Sequence, residues 1–224
     1  MRRWIQLPEY WELFFYLIMA NDNKFRVNVY IDGFNFYYGL KSMQWRKFYW
    51  LDLVKFFECF IKENQVLNKI YYCTARPTHQ DKKNRQSAFL KANSRSDKFE
   101  VIYGKFLQKE VVFGGQSFTT FEEKQTDVNI AISLIRNIVN NSCDTSIIVS
   151  GDSDLEPAII LAKEIDPNHK IYVHFPPNRH SVTLKDACDA RIDLGRFENR
   201  FKKCLLDAEI EYEGVMLRCP ENWV

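Results

Sequence analysis

Four aspartates stand where they could do chemistry together. Asp32 closes the apolar run RVNVYID (26–32) and is followed by Gly33 and Asn35. Asp152 follows a second apolar run, SIIVSG (146–151), and Asp154 comes two residues later. Asp127 opens TDVNIAISLIRNIVN (126–140), where its spacing to Ala131, Leu134 and Ile138 sets it on the apolar side of a helix. Carboxylates packed together repel, and burying them is unfavourable unless something compensates. A hard divalent cation compensates: Mg²⁺ takes oxygen ligands, keeps several waters and needs only a few carboxylates plus substrate phosphate. Such a site activates water against a phosphodiester. The expectation is therefore Asp32, Asp127, Asp152 and Asp154 around Mg²⁺ or Mn²⁺. Asn35 would bond a carboxylate, a metal-bound water or the scissile phosphate, and Ser150 would position substrate or ligands. Gly33 and Gly151 would let a backbone or phosphate come close. Any one of these aspartates alone reads as a helix cap or turn former; their conjunction points to a site.

The elements that must position them alternate. β-branched and aromatic runs at 26–32, 69–75, 99–107, 146–151 and 170–175 read as strands. Helical spacing appears over 52–63, 82–94, 126–140 and 154–165, the last with Pro157 in its first turn. EVVFGGQSFTTFEEK (110–124) alternates around Gly114 and Gly115 and reads as a hairpin. Strands alternating with helices predict an α/β fold with a mainly parallel sheet. In such sheets ligands bind beyond the carboxyl ends of the strands, where Asp32 and Asp152 stand. The tail from 209 alternates and predicts an added edge strand.

A chain of 224 residues suits one domain with appendages. Its net charge of +2 excludes a global cationic field, so any nucleic-acid footprint must be local. One local strip stands out. Lys82, Lys83, Arg85, Lys91, Arg95, Lys98 and Lys105 face only Asp97 and Glu100 within 82–105, and Arg76 precedes them at a strand end. A cationic strip favours phosphate, and Lys124 is placed to meet phosphate near Asp127. Tyr37, Tyr38, Trp45, Phe48, Tyr49 and Trp50 follow the first motif as candidate base-stacking residues.

Other chemistries find no support. Six cysteines show no CxxC pairing and predict a reduced, cytoplasmic protein. There is no HExxH, P-loop or GxGxxG motif. A phosphatase with paired Asp would need an acid at 34, where Phe34 stands, and GDSDL ends in Leu155 where a nucleophile elbow needs Gly. The apolar run Leu13–Ala20 is too short to span a bilayer, so no membrane partner is expected.

In their order, VYIDGFNFYYG, KQTDVNIAISLI and IIVSGDSDLEPAI resemble the motifs of the NYN domain, whose bacterial branch is LabA-like, within the PIN-like nuclease superfamily. The first resembles its Asp-Gly-x-Asn (Asp32, Gly33, Asn35). The second resembles Lys-x-x-Asp-Val (Lys124, Asp127, Val128), and the third Ser-Gly-Asp-x-Asp (Ser150, Gly151, Asp152, Asp154). A later LKDACDARIDL resembles the closing segment and selects Asp189 as a supporting residue. The resemblance implies a Rossmann-like PIN fold with helices on both sheet faces, and Mg²⁺- or Mn²⁺-dependent endonucleolytic cleavage of single-stranded or structured RNA. It implies a nuclease domain over 24–198, flanked by an extension (1–23) and a tail (199–224) packed on the domain. The alternative is an NYN-type module that binds RNA or protein without cutting. A Toprim-type or flap-nuclease-like site would redirect the substrate to DNA. Sequence gives no test of assembly beyond the general commonness of symmetric homodimers.

Overall fold

The computed structural model describes residues 24–113 and 116–223, so the N-terminal extension and the tip at Gly114–Gly115 lie outside the described residues. Six parallel strands form the central sheet: β1 (Phe25–Asp32), β2 (Gln65–Thr74), β3 (Phe99–Tyr103), β6 (Thr145–Val149), β7 (Lys170–Phe175) and β8 (Ala190–Asp193). Their spatial order is β3-β2-β1-β6-β7-β8. Two strands stand apart, β4 (Lys105–Phe113) and β5 (Gln116–Lys124), paired as an antiparallel ribbon.

β1 is buried continuously from Val27 to Asp32, because helices cover both faces of the sheet. Its side chains alternate between two different cores. Val27, Val29 and Ile31 enter an aromatic-rich layer built by α1 (Gly33–Ser42), α2 (Leu53–Glu58), α3 (Gln80–Asn93) and α7 (Glu198–Lys203). There Phe201 packs on Phe36, Phe48 and Phe56. Tyr30 enters an aliphatic layer under α4 (Thr126–Val139), α5 (Glu156–Ile165) and α6 (Val182–Ala187). Ile130, Leu134 and Ile138 of α4 supply its centre at helical spacing.

One expectation needs correction. The alternating tail does not join the central sheet; β9 (Glu209–Tyr212) and β10 (Val215–Arg218) pair with each other. Their Ile210 and Leu217 bury against the aromatic layer instead. Helix α4 begins at Thr126, with Gln125 before it in the left-handed region at φ 81. Among the described residues no helix is long and apolar enough to cross a membrane.

Candidate active site

Strand order reverses between β1 and β6, and a crevice opens beyond their carboxyl ends at such a switch point. Asp32 sits there. Its carboxylate is 4% exposed. Oδ1 accepts the first amides of α1, Phe34 N at 3.1 Å and Asn35 N at 2.9 Å, so Asp32 is the N-cap of that helix. Oδ2 accepts from the buried Ser150 hydroxyl at 3.0 Å. Ser150 Oγ in turn accepts Asp152 N at 3.0 Å, and Asp152 Oδ1 accepts Asp154 N at 3.1 Å. Across the crevice Gly151 N donates to Asn35 Oδ1 at 3.2 Å, which ties the end of β6 to the start of α1.

Burial pushes the Asp32 carboxyl above the usual carboxylate range, and the nearby charge of Asp152 pushes it further. Hydrogen bonds from Asn35 and Ser150 act the other way, by favouring the anion. The Asp152 charge is the smallest of these contributions, and the two residues are linked through the Ser150 hydroxyl.

Asp127 comes to the same edge by topology. Asn129, one turn into α4, donates to the Tyr103 carbonyl at the end of β3 at 3.4 Å. At the other end of the crossover, Asp144 N bonds the Arg26 carbonyl at the start of β1. Asp127 is half-buried, and both it and Lys124 are held by contacts of their own. The expected convergence of four carboxylates is not assembled, however. Among the described residues no three His, Cys, Asp or Glu side chains stand close enough to hold a metal ion. The cause is local: Asp32 and Asp152 are oriented by the backbone amides they cap, and Asp154 is exposed on a 3-10 turn.

Both glycines allow the close approach of a neighbouring backbone, as expected. A Cβ on Gly33 would lie 2.7 Å from the Tyr72 ring and 2.9 Å from the Cys73 carbonyl; one on Gly151 would lie 2.9 Å from Arg179 Cβ. Asp189 is not at this edge. It precedes β8, accepts Ile171 N at 2.8 Å and meets Lys163 at 3.5 Å, all at the amino end of the sheet. The strand-end acid of β8 is Asp193, opposite Phe175, with His180 at 3.9 Å. Arg179, His180 and Asp193 also stand at this edge, and sequence reasoning singled out none of them. The signal was present, since FPPNRH follows the apolar run of β7 at its carboxyl end.

The basic strip divides. Lys82 and Arg85 line a cavity of about 670 Å³ that begins at Gly33 and Phe34, directly after Asp32. Lys83 is exposed and lies outside the cavity lining. Lys98 pairs with Glu58 at 2.8 Å, and Arg76 stacks on the Tyr103 ring at 4.7 Å. The candidate stacking aromatics divide too. Phe48, Tyr49 and Trp50 are buried, and Trp45 packs on Phe48 and Phe201. Tyr37 and Tyr38 stay exposed and line the cavity.

Comparison with known proteins matches the NYN domain to residues 26–195. A curated relative is 6-hydroxy-3-succinoylpyridine 3-monooxygenase HspA of Pseudomonas putida, 25% identical over a match that covers 62% of this chain and 55% of that protein. The chain thus spans little more than half the length of that relative. Among solved structures, a Vibrio parahaemolyticus protein of unknown function, VPA0982, superposes with a TM-score of 0.54 at 19% identity, covering 76% of this chain and 93% of that one. That likeness concerns the fold.

Proposed function

The chain belongs to the NYN domain family, and we propose that it acts there as a metal-dependent endoribonuclease of the LabA-like branch. The products would be RNA ends carrying 5′-phosphate and 3′-hydroxyl. The observation that carries this reading is the buried Asp32 carboxylate at the switch point of the sheet, linked to Asp152 through the Ser150 hydroxyl. The donor set suits a hydrated hard cation. Mg²⁺ needs only one or two carboxylates and keeps its waters, so a full protein cage is not required. Asp32 and Asp152 would hold it, with Asp127 and Asp154 at the same edge. When bound, such an ion neutralises charge on the scissile phosphate and activates water.

The chain's own residues fix the geometry. Ser150 holds Asp32 Oδ2 in one orientation while the α1 amides hold Oδ1. Asn35 sets the width of the crevice by bridging to Gly151. Lys82 and Arg85, with Arg76, Lys83 and Lys124 nearby in sequence or fold, supply positive charge for the RNA backbone. The free cysteines support a reducing, cytoplasmic setting.

The test compares wild type with Asp152→Asn on end-labelled RNA and DNA. Wild type should cut RNA in Mg²⁺ or Mn²⁺ and stop in EDTA. The variant should lose at least on the order of a hundredfold in rate with an unchanged circular dichroism spectrum. Equal cleavage by the variant rejects the assignment, and preferential cutting of DNA redirects the substrate. A second reading, RNA binding without cleavage, draws on the missing three-acid cluster among the described residues. The name of the Pseudomonas relative supplies a rival ligand, a substituted pyridine carrying an acid arm.

A further inference from the structure

The cavity beside Asp32 has a composition that the hydrolytic reading does not use. Its wall carries the rings of Phe34, Tyr37 and Tyr38. Tyr37 and Tyr38 are 38% and 44% exposed, whereas Phe36, Phe48, Tyr49 and Phe89 of the same wall are buried. Phe34 and Tyr38 stack with ring centroids 6.5 Å apart and planes 25° apart, and Tyr37 meets Tyr38 edge-on at 5.3 Å. The charge is equally one-sided. Lys41, Arg46, Lys82 and Arg85 line the cavity, and none of its described lining residues is Asp or Glu.

We propose that this cavity is a nucleobase cleft: it takes unpaired bases of single-stranded RNA beside the scissile phosphate, stacked against Tyr37 and Tyr38, with flanking phosphates on Lys82 and Arg85. The proposal rests on the nuclease reading for what happens at Asp32, and names the form of the substrate. Three features select that occupant. Aromatic faces inside a concavity reach bases that have left a helix, and cannot reach bases stacked within a duplex. A cationic lining without carboxylates complements a polyanion. Gly33 and Phe34 belong both to the cavity wall and to the turn that Asp32 caps, so a strand seated in the cleft runs directly into the acidic edge. Tyr38 is then a positioning residue, since it grips a base and leaves the chemistry to the acids.

The experiment measures binding in EDTA, where no cleavage occurs. The probes are a fluorescent unstructured oligoribonucleotide and a blunt RNA duplex of the same length. Tyr38→Ala should weaken single-strand binding on the order of ten- to a hundredfold and leave duplex binding unchanged. Tyr38→Phe, which keeps the ring, should restore it. Lys82→Ala should reduce the slope of log affinity against log salt by about one. Unchanged single-strand affinity in Tyr38→Ala, or equal losses on both probes, overturns the cleft. So does a wild type that binds a pyridine carboxylic acid in a Tyr38-dependent way and no RNA. Cleavage is scored separately in Mg²⁺. Tyr38-dependent binding without any cleavage leaves the cleft and removes the nuclease; intact cleavage with Tyr38-independent binding does the reverse.

Discussion

The same two strands carry a polar pair at each end, on the same face of the sheet. Asn28 lies opposite Ser146 at the amino end, and four residues along each strand Asp32 and Ser150 stand at the carboxyl end. Both pairs are buried. The pair at the amino end is uncharged and packed among neighbours, although Asn28 Nδ2 is buried without a hydrogen-bond partner. Asn68 donates to Asn28 at 2.9 Å, Ser146 meets His169 at 2.8 Å, and Asn137 donates to Tyr30 at 3.0 Å. Arg26 and Asp144 cap that end with an ion pair at 2.9 Å. The carboxyl end keeps an acid that burial and Asp152 both disfavour as an anion. Substituting a neutral pair there would relieve a penalty, and under the proposed function the buried acid is kept at that end for the chemistry.

Matched serine deletions are the sharpest way to break that contrast. Ser150→Ala leaves Asp32 Oδ2 without its donor. It should slow RNA cleavage on the order of ten- to a hundredfold and destabilise by about 1–3 kcal/mol. Ser146→Ala should destabilise by a similar amount and leave cleavage unchanged. Equal losses of cleavage in both would mean that the two ends do not differ in function.

A smaller effect comes from acid. Burial lowers the pKa of His169 at the amino end, and burial lowers that of His174 in β7 to about 3, with Arg200 adding to the shift. Both rings are neutral in the fold, while the unfolded chain protonates near pH 6.5. The unfolded state therefore binds more protons below that pH, and stability falls as pH drops from about 6.5 toward 3. Urea melts between pH 7 and 4.5 should show the decline, and His174→Phe should flatten it. An unchanged slope in that variant would refute the assignment. The smallest effect belongs to the amino-end ion pair. Asp144→Asn keeps an acceptor at a half-exposed site and should shift stability by about 1 kcal/mol or less, with cleavage intact.

Much of this architecture was legible because burial imposes period on sequence. The run into Asp32, the alternation of strands and helices, and the face of α4 all follow from side chains that must leave water on a known side. The two acidic motifs were legible for the same reason, since the end of an apolar run marks the end of a strand. Which carboxylate sits at which edge was less so. Asp189 and Asp193 differ by four residues, about 13 Å along a strand. β8 is short and only half-buried, with no apolar run to announce where it starts.

The aromatic cluster after Asp32 shows the same boundary. Composition alone ranks Tyr37, Tyr38, Phe48, Tyr49 and Trp50 alike as candidate stacking platforms. Phe48, Tyr49 and Trp50 are buried within the aromatic layer that α7 and the tail help to build, Phe48 and Tyr49 as the covered part of the cavity wall, whereas Tyr37 and Tyr38 stay exposed on it. That separation is set by segments more than a hundred residues away, such as Asp207, whose carbonyl accepts from the Trp50 indole at 2.7 Å. Sequence by itself determined the strands, the helices and the acids at their ends, because those follow from local period and from the exclusion of water. Tertiary structure decided which acids meet, which cations line the cavity and which rings stay exposed, because those depend on where distant surfaces come to rest against one another.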